Sequence, residues 1–315
     1  MPDLGPAVST VIEKCLAVKA GEDVLVIGDP SRLRIAEAMR DAARGAGADA
    51  VLAVMDEREI DGNEPPRPIA GALEQCDVFI APTTRSLSHT TARKRASDAG
   101  ARGATMPGVT EDMLARVMAM DFDAMVRRSR AVEALLDQCE SAHITCPRGT
   151  DLRLDLRGRP GTSDDGRLTD PGAFGNLPCG EAFVAPANGE GQFVSQSLAS
   201  LGLSEPATLT VRDGQLVGAE GGLGPEYLAR LEAHGPRGTN LAEFGVGTND
   251  RAQLTGNVLE DEKILGTVHV AFGASAGIGG TVSVPIHLDA VVLEATLAVD
   301  GQPVLDGGRF LLDPT

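Results

Sequence analysis

Tryptophan is absent from this 315-residue chain, tyrosine occurs once, and aromatic residues make up 3% of it. Stacking platforms for single-stranded nucleic acid need aromatic faces, so that class of binder is disfavoured, and the cores must rely on Val, Leu, Ile and Ala. Positive charge is scarce as well: 28 Lys and Arg against 45 Asp and Glu leave a formal net charge of −17. Nucleic acid and anionic membranes both attract cationic surfaces, and neither is expected as a partner. No uninterrupted apolar run approaches the ~18 residues of a membrane span, and the start shows no signal-peptide pattern. Five cysteines, an odd number with no CxxC spacing, suit a reducing compartment better than a disulfide framework. The expectation is a soluble, cytoplasmic protein.

What is present divides into segments. The length exceeds one typical domain and suggests two. Strand-like Asp23–Gly28, helical 31–46, strand-like 48–54 and strand-like 77–81 alternate as in a parallel sheet with crossover helices, and two more units follow at 89–99 and 103–118. We expect a Rossmann-like α/β domain over 1–122, a connecting helix over 123–139 and a mainly β, metal-binding catalytic domain over 140–315, giving an α/β plus α+β fold. Ser31, after Gly28-Asp-Pro30, is the expected helix N-cap. The first strand ends without GxGxxG, so dinucleotide binding has little support. The one basic cluster, Pro82 to Arg95, begins where a strand ends and a helix starts. Parallel sheets often bind ligands at such places. Arg85 and His89 are accordingly the candidates for holding a substrate carboxylate.

The chemistry-bearing residues concentrate in the C-terminal half. Ser283 to Leu293 reads as a strand with His287 and Asp289 two residues apart, hence on one face. His269 interrupts Gly266 to Gly273, Glu243 interrupts Asn240 to Gly247, and Glu181 lies upstream. Each breaks an apolar run where an unpaired charge would be costly to bury, and a metal ion removes that cost. Two imidazoles with two or three carboxylates suit zinc, cobalt, manganese or iron. Glu181 and Glu243 are also the candidate catalytic carboxylates, and Glu181, Glu243 and Asp289 all stay open as the bridge between two ions. The acidic turn Glu260 to Lys263 is expected to be a solvated face, with Glu262 as a candidate base. Cys179, His143, His234 and Tyr227 read as packing or structural residues.

At this point the chain resembles a known family. Pro178 to Pro186, Leu241 to Asn249, Glu260 to His269 and Pro285 to Asp289 look like the four signature blocks of the thermophilic metallopeptidases, the aminopeptidase T and aminopeptidase S group. The resemblance implies a homodimeric hydrolase that cleaves a peptide or amide bond in a short peptide or other small substrate. It also implies two divalent ions, zinc or cobalt, with Glu181, Glu243, His269, His287 and Asp289 as ligands. One departure stands out: the group carries a tyrosine seven residues after the first ligand histidine, and here that position is Ala276. The ring-cleaving 2,5-dihydroxypyridine dioxygenases are similar at Asp250 to Gln253 and at His287-Leu-Asp289. That alternative implies a single Fe(II) held by two histidines and a carboxylate, with a histidine at the position of Glu243 and no counterparts of Glu181 and His269.

Overall fold

The computed structural model describes residues 2–312. The chain forms two compact units, Met1–Phe122 with Gly166–Cys179, and Asp123–Asp165 with Gly180–Thr315.

In the first unit the strands Asp49–Val54, Asp23–Gly28, Val78–Ala81 and Arg102–Thr105 lie side by side in that order, all parallel. The three inner strands are almost wholly buried, as a parallel sheet covered on both faces requires. Helix Leu33–Gly45 turns Ile35, Ala36, Met39 and Ala43 inward, a 3.6-residue stripe that packs on the sheet. Its start differs from the sequence expectation. Pro30–Arg32 forms a 3-10 turn, and the helix begins without a side-chain cap, so Ser31 does not perform that role. The preceding Asp29, 1% exposed, instead accepts hydrogen bonds from the backbone N–H and the hydroxyl of Thr84. A fifth parallel strand, Phe174–Asn176, comes from far along the chain. Phe174 stacks on Phe79 with ring centroids 6.3 Å apart, and the guanidinium of Arg93 lies 4.1 Å above the Phe174 ring. These contacts hold residues 166–179 to the first unit, where a division at 122 and 140 alone would leave them in the second.

The second unit opens with the helix Phe122–Leu136, which buries Met125, Val126, Val132 and Leu136. It is dominated by a curled antiparallel sheet of 13 strands among the described residues. From one edge inward the order is Thr162–Asp164, Glu181–Val184, Leu241–Gly247, Val268–Gly273, His287–Val292 and Asn188–Leu198. Strands 241–247 and 268–273 are buried at every residue, and Phe193, Phe244, Phe272, Val246, Val268 and Val270 belong to one apolar cluster. The sole tyrosine closes part of that core: Tyr227, on helix Gly224–Glu232, is 0% exposed, packs edge-on to Phe272 and donates its hydroxyl to the Leu288 carbonyl at 2.5 Å. Among the described residues no helix is long and apolar enough to cross a membrane.

Candidate metal centre

Strand register, more than any loop, assembles the centre. Glu243 pairs with Ala271 and Ala271 with Asp289, so these three occupy one row across adjacent strands. In the next row Gly245 pairs with His269 and with Phe183. Glu181, paired with Gly247, lies two residues from Phe183, and His287 lies two from Asp289. Because side chains repeat every second residue on a strand, all five candidate ligands project from the same face. Two small residues open the space between them. Ala271 separates the two carboxylates of its row, and Gly245 leaves room for a ring, since a Cβ there would sit 2.1 Å from His269 Nε2.

His269 therefore lies across its neighbouring strand, with Nε2 3.4 Å from Glu181 Oε2 and 3.4 Å from Glu243 Oε1. His287 meets the other oxygen of Glu243: its Nε2 is 3.2 Å from Oε2 and 3.6 Å from Asp289 Oδ1. Glu181, Glu243 and His269 form one group whose ligand atoms all lie within 4.8 Å of one another, and Glu243, His287 and Asp289 form a second. Glu243 belongs to both, one oxygen facing each group. Of the three carboxylates open as a bridge in the sequence, it is the one placed to serve. Orientation of His287 comes from its far side, where Nδ1 donates to the Ala274 carbonyl at 2.7 Å. That carbonyl follows Gly273, whose φ of +116° favours glycine and whose added Cβ would fall 2.2 Å from the Ile286 carbonyl oxygen.

The donor set fits a divalent cation. Glu181 Oε2 is buried and makes no hydrogen bond, which is costly for a carboxylate oxygen unless a charge faces it. Protonation behaviour points the same way. Burial by itself raises the Glu243 carboxyl, but hydrogen bonds from His269 and His287 outweigh it and hold the group down at about 2. Burial opposes a charge on His269, yet the hydrogen bond to Glu243 and the charge of Glu181 raise it to about 9. For His287, burial is likewise outweighed by Asp289 and Glu243, and the imidazole rises well above its ordinary value. Without a metal ion, protons on the imidazoles provide the positive charge that the carboxylates demand.

Behind the candidate ligands lies a cluster of which sequence reasoning singled out only Glu262. The turn Glu260 to Lys263 is not a solvated charge run: Glu260, Asp261 and Lys263 are each 0% exposed. Asp261 receives the Thr255 and Gly256 amides at 2.8 and 2.9 Å and the Ser197 hydroxyl at 2.6 Å, and Glu260 receives the Gln253 amide at 2.7 Å. Lys263 places its ammonium 3.0 Å from Glu181 Oε1 and in short contact with Glu262. Burial would lower the lysine, but Glu181, Glu262 and Asp164 keep it charged far above its usual range. Three carboxyls around one ammonium leave an excess of negative charge. Burial accordingly pushes Glu181 up to about 8, with Lys263 opposing it, and Glu262 is raised too. The available signal was Asn257, which caps the short helix Val258–Asp261 by accepting the Leu259 amide.

Other sequence candidates fall elsewhere. Arg85 and His89 are exposed on a loop of the first unit and are not members of the cluster. The first amides of the following helix, Thr91–Asp98, are already satisfied by the chain itself, with Thr91 and Ala92 donating to Glu64 at 2.5 and 3.1 Å. Cys179 is buried in the first unit. His143 pairs with Asp151 at 2.8 Å, and His234 lies in the turn after helix Gly224–Glu232, at the start of the 3-10 turn Gly235–Arg237. Ala276 is exposed on the 3-10 turn Ala276–Ile278.

Comparison with known proteins gives the family. No curated protein matches the chain. Solved structures share the fold over nearly its whole length. The 2,5-dihydroxypyridine dioxygenase of Pseudomonas putida KT2440 aligns with a TM-score of 0.83 and 22% identity, covering 98% of this chain and 97% of that one. Wild-type AmpT from Thermus thermophilus aligns with a TM-score of 0.72 and 20% identity, covering 98% and 99%. At these identities the likeness is one of fold, and it bears out the expected architecture of a parallel-sheet α/β part and a mainly β part. A family model described as NicX, 2,5-dihydroxypyridine 5,6-dioxygenase, matches residues 3–312. This chain belongs to the 2,5-dihydroxypyridine 5,6-dioxygenase (NicX) family.

Proposed function

We propose that the chain is a metal-dependent enzyme that opens a dihydroxylated nitrogen heterocycle with dioxygen, using one ferrous ion held by Glu243, His287 and Asp289. The observation that carries this reading is the convergence of those three donors in a chain that the dioxygenase family model matches from residue 3 to 312. The His287 side chain is 28% exposed, so ion and substrate can reach it. A ferrous ion there would supply the one-electron chemistry that dioxygen activation needs and a positive charge for the oxygen substituents of the ring. The protein's own groups do the remaining work. Ala274 keeps a proton on His287 Nδ1 and so presents Nε2 to the site. Glu262, 13% exposed and in electrostatic contact with His269 and Asp289, is the carboxylate available to take the proton of a ring hydroxyl. Its raised pKa brings it closer to that task. Glu243 distinguishes this chain from the ligand pattern that the resemblance gives for ring-cleaving relatives, because a carboxylate replaces an imidazole and the set carries one more negative charge.

A second reading, hydrolysis of a peptide or amide bond at two zinc or cobalt ions, has Glu181 and His269 in its favour. They complete another triad on the other oxygen of Glu243, and a shared carboxylate is what a pair of ions ~3.5 to 4 Å apart requires. Against it stands Ala276, exposed and without a donor where the resemblance implies a tyrosine. Loading the metal-stripped protein with Fe(II) under argon, or with Co(II) or Zn(II), then supplying dihydroxypyridines or peptides with free and blocked amino termini, tests both. Iron-dependent oxygen uptake coupled to loss of the ring absorbance is the expected result. Peptide cleavage without oxygen uptake would overturn it.

A further inference from the structure

Neither reaction gives a role to Lys263, the only fully buried lysine among the described residues. Its ammonium contacts Glu181 Oε1 at 3.0 Å and Glu262 at close range. A buried ammonium must stay paired, so Glu181 is divided: Oε1 serves Lys263 while Oε2 faces His269. Any ion placed between Glu181, Glu243 and His269 would then share a carboxylate with a fixed positive charge. In a poorly screened interior, like charges so close repel strongly. The other triad differs in each respect. Among the described residues no lysine or arginine pairs with Glu243, His287 or Asp289. His287 also has the carbonyl partner on its far nitrogen that metal-bound histidines usually have. His269 Nδ1, by contrast, is buried with no hydrogen-bond partner.

We infer that Lys263 is a resident cation standing in place of a second metal ion, so that the Glu243, His287 and Asp289 triad loads first and holds its ion while the Glu181, Glu243 and His269 triad takes one only weakly. This rests on the cluster being a metal centre, not on which reaction it performs. Titrating metal-stripped protein with Co(II) by calorimetry, followed by metal analysis after desalting, should find one retained ion and any further site at least ~100-fold weaker. Lys263→Met should tighten that weaker site by at least ~10-fold and retain two ions, whereas Lys263→Arg should still retain one. Two ions of equal affinity in the unaltered protein would overturn the inference. A weaker or unchanged second site in Lys263→Met would do so too, since Lys263 would then merely orient Glu181. Should that variant fail to fold, His269→Gln is expected to keep the tight ion and Asp289→Asn to lose it, and the reverse pattern contradicts the loading order. No bound ion at all in the unaltered protein would sink the metal reading itself.

Discussion

The two triads that share Glu243 are built from the same residue types, one imidazole and two carboxylates each, yet the chain treats them oppositely. Around His269 everything is interior: the ring is 0% exposed, its carboxylate partner Glu181 is 7% exposed, and a lysine balances part of the charge. Around His287 the ring is 28% exposed and Asp289 12% exposed, the ring is oriented from behind, and no fixed cation is supplied. A set of carboxylates left without a resident cation but accessible to solvent has its charge demand met from outside, by protons or by a metal ion. The difference teaches that ligand identity alone does not equip a metal site. Under the proposed loading order, what stands behind each candidate ligand decides which half takes the ion.

The contrast can be broken or sharpened by substitution. Removing the shared residue should have the largest effect: Glu243→Ala is expected to weaken metal retention by more than ~100-fold in both halves, because loss of a mere outer partner already costs ~10- to 100-fold. Retention of a tight ion in this variant, measured after desalting, would dissolve the picture of a common hub. Asp289→Asn should abolish the tight ion, while His269→Gln should leave it in place.

Gly245→Ala comes next. The added methyl would fall 2.1 Å from His269 Nε2, and overpacking of this kind costs ~1–3 kcal/mol. Thermal unfolding should report that loss, with the ion at His287 retained. A smaller change is expected from Tyr227→Phe, which removes one buried hydrogen bond to Leu288 and should lower stability by ~1 kcal/mol without altering metal content. A loss of metal there would make the tyrosine more than a packing residue.

pH offers an independent handle. His269 is raised from 6.5 to about 9 in the folded protein, so in the metal-free form its stabilisation is fully present below 6.5 and is lost as pH rises through about 9. Glu243 is lowered from 4.5 to about 2, so its contribution is present above 4.5 and lost as pH falls through about 2. Denaturant titrations of the metal-free protein should show this pair stabilising most between those windows. Metal binding near neutrality must expel protons from the imidazole of whichever triad is filled. Calorimetry in buffers of different ionisation enthalpy should therefore detect proton release, and affinity should climb as pH rises above neutrality, because burial is outweighed by Asp289 and Glu243 and the His287 imidazole holds its proton well above its ordinary range.

Much of the centre was legible in the sequence because strand periodicity is simple. His287 and Asp289 two residues apart sufficed to predict one shared face for that pair, and Glu243 and His269 each interrupting an apolar run marked them as candidates; the structure brings all five candidate ligands together. Strand Asp23–Gly28 also falls where the apolar run places it. Register was not legible, because which residue of one strand faces which of the next depends on long-range pairing, so the hub role of Glu243 was hidden. Lys263 was missed because a run of charge reads as solvated until the helix cap at Asn257 and the amides held by Asp261 show that it turns inward. Phe174–Asn176 was hidden for a different reason: three residues carry no periodicity, and they join a sheet more than 70 residues away in sequence.

The central claim is that an ion seated on Glu243, His287 and Asp289 fills the first and tightest place in this centre. Crystals grown from metal-stripped protein and soaked with one equivalent of Co(II), measured on both sides of the cobalt absorption edge, test it directly. A single strong anomalous peak bounded by His287 Nε2, Asp289 and Oε2 of Glu243 is the expected result. A dominant peak against His269 and Glu181, or one of equal height in both triads, would contradict it.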